Sequence, residues 1–72
     1  SITNSATHTI RVNEIMVEIQ KLPPATHAVF VMYVIDGYNH REIAELLNIT
    51  AGTSKWHLSE ARRILQQRLE FD

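Results

Sequence analysis

The chain has 72 residues, 44% of them apolar and 21% charged, with no Cys and a formal charge of −1. This length suits one small domain that buries only about 60% of its unfolded surface, so efficient local packing or a partner must supplement the core. The missing Cys excludes disulfides, Cys-bearing zinc sites and a thiol nucleophile, and points to a reducing compartment such as the cytoplasm.

The longest apolar run, Ala28 to Ile35, falls well short of the roughly 20 residues that cross a bilayer, and no basic-then-apolar leader opens the chain, so no membrane or export segment is expected. Charge is unevenly spread. Up to residue 50, Arg11, Lys21 and Arg41 face Glu14, Glu18, Asp36, Glu42 and Glu45. Beyond it, Lys55, Arg62, Arg63 and Arg68 outweigh Glu60, Glu70 and Asp72. A near-neutral total therefore conceals a basic C-terminal part.

Residues 1–9 are small, polar and without periodicity, which predicts a linker or chain end, with a domain over 10–72. Apolar residues at Val12, Ile15, Met16 and Ile19 make the stripe of an amphipathic helix over about 10–20. Leu22-Pro23-Pro24 breaks it, and Pro24 suits the first turn of a second helix that ends at Gly37. The run Val29 to Ile35 has strand-like composition. Helix punctuation at both ends, and the absence of another strand to pair with, decide for a helix buried nearly all round.

Asn39-His40-Arg41-Glu42 has the form of a capping box and opens a short third helix over about 40–47. After Asn48-Ile49-Thr50, Thr50 caps a fourth helix reaching about Glu70. The expected fold is all-α, a four-helix domain with a C-terminal helix-turn-helix and no internal repeat. Such a motif needs a small residue where its helices cross, a turn residue tolerant of positive φ, and apolar anchors. Ala44, Asn48, and the trio Leu47, Ile49 and Leu58 meet those needs in order.

At about 100° per residue, Ser54, Leu58, Ala61 and Leu65 share the core arc of the last helix, and Gly52, Lys55, Trp56, Ser59, Arg63 and Gln66 take the opposite side. That outer face carries cations, small polar groups and an aromatic, with no aliphatic residue. Lys55 and Arg63 are spaced to reach phosphates on either side of a major groove while Ser59 approaches base edges. Trp56 argues against a merely solvated face, since a large aromatic pointing away from the core calls for a partner.

Leu22-Pro23, Val29-Phe30, Tyr33, Gly37, Glu42-Ile43-Ala44, Leu47, Gly52-Thr53, Lys55, Leu58 and Ala61-Arg62 together give residues 22–65 a sequence that resembles region 4 of bacterial sigma factors, most closely the extracytoplasmic-function type. The resemblance implies a helix-turn-helix that reads the promoter −35 element in double-stranded DNA and other helices that dock on the β-subunit flap of RNA polymerase. An anti-sigma protein is a further implied partner. It also implies that Lys55, Trp56 and Ser59 face the groove, that Thr53 stands at the entry to the reading helix, that Arg62 and Arg63 lie near phosphates, and that His40 and Arg41 anchor the preceding helix to the backbone. Ser54, Trp56, Glu60 and His27 stand where that family usually has Val, Ser, Arg and Arg. For Glu60 an ion pair with Arg63 at i+3 is favoured over a hydrogen bond from a cytosine amine. Ser54 is expected to bond back to a carbonyl one turn earlier, with a looser core as the result.

Catalysis is not expected. His8, His27, His40 and His57 lie on separate segments without metal-ligand spacing, so no metal or cofactor is expected, and Thr53, Ser54 and Ser59 lack an oriented base. Two alternatives stay open: the effector domain of a response regulator, and a protein-interaction module that uses the apolar surface of the first two helices.

Overall fold

A computed structural model of the chain describes residues 12–69. The linker expected over residues 1–9, and His8 within it, lie outside those residues. Among the described residues the chain is helical, with no strand: α1 (residues 12–20), α2 (Pro24–Phe30), α3 (His40–Leu47) and α4 (Ala51–Leu69).

Pro24 occupies the first turn of α2, where its missing N–H costs nothing. The β-branched and aromatic stretch that follows is helical, as expected, but it is not buried nearly all round: Val34 and Ile35 are exposed, because a domain this small cannot cover every side of it. Its ladder also widens to a π-helical segment over Val31–Ile35, which periodicity does not foretell. The expected helix end at Gly37 therefore falls slightly early, after Ile35. Gly37 adopts φ +82° with open space where a Cβ would sit, so the position needs glycine for its backbone and not for room. The reversal is closed by the Tyr38 N–H donating to the Met32 carbonyl at 2.9 Å.

The capping box of α3 is complete. Glu42 N–H donates to the Asn39 side-chain oxygen at 2.8 Å, and the Asn39 N–H donates to the Glu42 carboxylate at 3.0 Å. Asn48 takes the left-handed conformation at φ 56° and ψ 49°, and the N–H groups of Asn48 and Ile49 both turn back onto the Ala44 carbonyl. The Thr50 hydroxyl accepts the Thr53 N–H at 3.0 Å and so starts α4.

One core unites the helices: Ile19 and Leu22 from α1 and its exit, Val29 and Phe30 from α2, Ile43 from α3, and Leu58, Ala61 and Leu65 from α4. The α1 stripe is only half used. Ile19 is buried and Ile15 packs beside the core, but Val12 and Met16 are 42% and 45% exposed. The inward arc of α1 is instead shared with Glu18, whose carboxylate meets Lys21 and, across on α4, Arg68, each at 3.5 Å. The long helix α4 lies across both α2 and α3. Its buried residues are the expected four, Ser54, Leu58, Ala61 and Leu65.

Candidate nucleic-acid interface

Because α4 turns Ser54, Leu58, Ala61 and Leu65 inward, helical geometry sends Trp56, Ser59 and Arg63 outward and leaves Lys55 and Arg62 on the flank. All five are exposed, as is Thr53 at the helix entry. Trp56 is 58% exposed, yet its ring is not wholly alone, since it meets His57 edge to face with centroids 5.1 Å apart. Arg41 projects from the exposed side of α3, and His40 sits half-buried at the start of the same helix. Helical geometry groups Lys55, Ser59, Arg63 and Trp56 within one outer arc of α4, whereas Arg62 and Thr53 flank the buried stripe on opposite sides.

Two of them are already engaged. The Arg63 guanidinium donates through Nε to Glu60 Oε2 at 3.2 Å, through Nη2 to Glu60 Oε1, and through Nη1 to Gln67 Oε1 at 3.3 Å. The ion pair expected between Glu60 and Arg63 is therefore present. The hydrogen bond from Arg63 holds the Glu60 carboxyl below its ordinary value, and the same bond pushes the Arg63 guanidinium up. Lys55, Arg41 and Arg62 form no ion pair among the described residues.

His40 is the second. Its Nδ1 shares a hydrogen bond with the Ser54 hydroxyl at 2.8 Å, and its ring stacks on Tyr33 with centroids 4.5 Å apart and planes at 21°. This corrects the expectation for Ser54, whose fully buried hydroxyl reaches across to α3 and not back along its own helix. The cross-helix bond wins because the His40 ring nitrogen stands at ideal distance and would itself lack a partner if the hydroxyl turned back along its own helix. The core there is fastened, not loosened. For His40 itself, Nε2 remains the ring nitrogen that can face a phosphate.

A matching pair is not among the expected site residues: Thr26 Oγ1 on α2 and His57 Nδ1 on α4 lie 2.9 Å apart, with Thr26 2% exposed. The signal was available in the spacing. Thr26 shares the stripe of Val29, Phe30 and Tyr33, and His40 that of Ile43, Ala44 and Leu47, so each is a polar residue standing at a core position. Among the described residues no cluster of His, Asp and Glu could hold a metal ion, and no helix is long and apolar enough to cross a membrane.

In chemical terms the surface offers ammonium and guanidinium groups, hydroxyls and one indole N–H, all hydrogen-bond donors, on a helix narrow enough for a major groove. The family model described as sigma-70, region 4, matches residues 13–65, well over half the chain. No similar protein was found among curated proteins, and none among solved structures.

Proposed function

The chain belongs to the sigma-70 region 4 family, and from that premise we propose that it reads the promoter −35 element for an alternative sigma factor of the extracytoplasmic-function type. Region 4 is a DNA-binding, non-enzymatic region that serves promoter recognition with RNA polymerase. The observation that carries the finer reading is the outer face of α4, where Lys55, Trp56, Ser59 and Arg63 stand exposed without an aliphatic among them. In this reading α4 lies in the major groove. Lys55, Trp56 and Ser59 face the groove, Ser59 nearest the base edges and Lys55 within reach of a phosphate, Thr53 contributes at the helix entry, and Arg62 meets a phosphate on the flank, joined by Arg63 where Glu60 releases it. Arg41, with His40 through Nε2, anchors α3 to the backbone.

Docking on the β-subunit flap falls to the first helices. Val12, Met16 and Val17 on α1, and Val34 and Ile35 at the end of the π-helical segment, are each more than 40% exposed. Apolar groups left in water at this density, in so small a domain, suit a polymerase surface or an anti-sigma protein. The place of action is the cytoplasm, where promoter and polymerase are found.

The test is selection of duplexes by the 72-residue chain from a pool randomised across a promoter-sized window, followed by titration of the selected duplex. The reading predicts a preferred sequence of −35 type, with binding weakened by Lys55→Ala and by Arg62→Ala. Enrichment of no sequence, or indifference to both substitutions, would contradict it.

A further inference from the structure

Lys55 and Trp56 are bracketed in sequence by Ser54 and His57, and each bracket is hydrogen-bonded to a different helix: Ser54 to His40 of α3 at 2.8 Å, His57 to Thr26 of α2 at 2.9 Å. We propose that these two imidazole–hydroxyl pairs form a positioning device that fixes the rotation of α4 about its own axis and so sets where Lys55 and Trp56 point. The inference rests on the reading of α4 as the groove-facing helix.

The case for such a device rests on the kind of contact that otherwise holds α4. Its buried side chains are two leucines, an alanine and a serine, with Ile64 and Leu69 packed beside the core and Arg68 paired to Glu18 near its far end. Apolar contact is non-directional and tolerates sliding, whereas a hydrogen bond is confined to a narrow distance and weakens steeply off its axis. Rotation is also the motion that base reading tolerates least. With side chains about 5–6 Å from the helix axis, a rotation of about 20° displaces a contacting group by about 2 Å. A binding constellation must hold within about 0.5 Å, so this displacement is several times the allowance.

The pairs are built alike, and both are enclosed. Thr26 is 2% and Ser54 0% exposed, so each hydroxyl is out of water and satisfied by its imidazole. Each imidazole in turn meets an aromatic ring: Tyr33 stacks on His40, and Trp56 sits edge-on to His57. The second contact connects the device to the reading face, because the ring that His57 orients is the exposed indole itself. Thr26, His57 and Ser54 are therefore positioning residues, acting on DNA only through the neighbours they orient. A buried polar contact that specifies geometry in place of adding stability has precedent in the polar residues that fix coiled-coil register.

The test compares the wild-type chain with the double variant Thr26→Val/Ser54→Ala, which removes both hydroxyls and keeps both imidazoles. Thr26→Ser/Ser54→Thr, which keeps both hydroxyls, serves as the rescue. The quantity read is the ratio of affinities for the duplex that the wild-type chain selects and for a scrambled duplex of equal length. The expected result is a fall of about tenfold in that ratio for Thr26→Val/Ser54→Ala, with affinity for the scrambled duplex unchanged and the ratio restored in the rescue. A merely structural role would lower the melting temperature and leave the ratio where it was, and that result would overturn the proposal. Loss of the ratio in the hydroxyl-keeping variant as well would do the same. Should the double variant fail to fold, Ser54→Ala alone decides by the same ratio. A wild-type chain that prefers no duplex at all would instead remove the promoter-reading premise, and the positioning role with it.

Discussion

Replacing Glu60 by Gln should free Arg63 for DNA. In the free domain the Arg63 guanidinium is held by both oxygens of Glu60 and by Gln67, which engage its Nε, Nη1 and Nη2 and turn it along its own helix. Lys55, Arg62 and Arg41 then remain to meet about three phosphates, which implies a log-log salt slope of about −2.7. Glu60→Gln removes the charge that holds Arg63, raises the count to about four and steepens the slope to about −3.6. The same change takes a negative charge off the reading face, so affinity rises for selected and scrambled duplexes alike. Acid mimics it late: because the hydrogen bond from Arg63 holds the Glu60 carboxyl below its ordinary value, the clamp opens at a lower pH than that at which an unpaired glutamate takes up its proton. The assay is fluorescence anisotropy of a labelled duplex over a series of salt concentrations, with melting curves alongside. Stability should scarcely move, since the pair is solvent-screened. An unchanged slope would refute the clamp. Loss of discrimination at a single base pair, with the slope intact, would assign Glu60 to base reading instead.

Trp56→Ala should leave stability within about 0.5 kcal/mol, as exposed substitutions do, while weakening binding to the selected duplex by about 1 kcal/mol or more; thermal melts and anisotropy check the two halves separately, and intrinsic fluorescence that responds to protein concentration but not to DNA would point to a protein partner. Ile43→Ala empties the centre of the core at a fully buried site and should cost about 2–5 kcal/mol by denaturant unfolding, enough to unfold a domain this small. Asn39→Ala deletes the cap that opens α3 and should cost about 1 kcal/mol by the same measurement, with the salt slope for DNA unchanged.

What could be read from the chain beforehand was local. The capping box at Asn39 and Glu42, the left-handed Asn48, the Thr50 cap and the Glu60–Arg63 pair each involve residues within one helical turn, or a single backbone conformation. Periodicity alone likewise assigned Ser54, Leu58, Ala61 and Leu65 to the buried arc of α4. The bonds that join helices were a different matter. Thr26 and His57 are 31 residues apart, and His40 and Ser54 are 14 apart, so the partner of each appears only once the helices are packed. Neither metal-ligand spacing nor a phosphate-anchoring role for His40 points to these partners, because an imidazole nitrogen can equally take a hydroxyl brought near by packing. The widening at Val31–Ile35 was hidden for another reason. It leaves composition and capping unchanged and alters only which carbonyl each N–H meets.

The central claim is that the outer face of α4 is the surface that meets promoter DNA, and amide chemical-shift mapping of the isotope-labelled chain titrated with the selected duplex tests it most directly. Saturable shifts at Thr53, Lys55, Trp56, Ser59, Arg62 and Arg63, with smaller ones at His40 and Arg41 and none on α1, are the predicted result. Shifts confined to α1 and the exposed end of the π-helical segment, with α4 silent, would contradict it and make DNA contact incidental to protein docking.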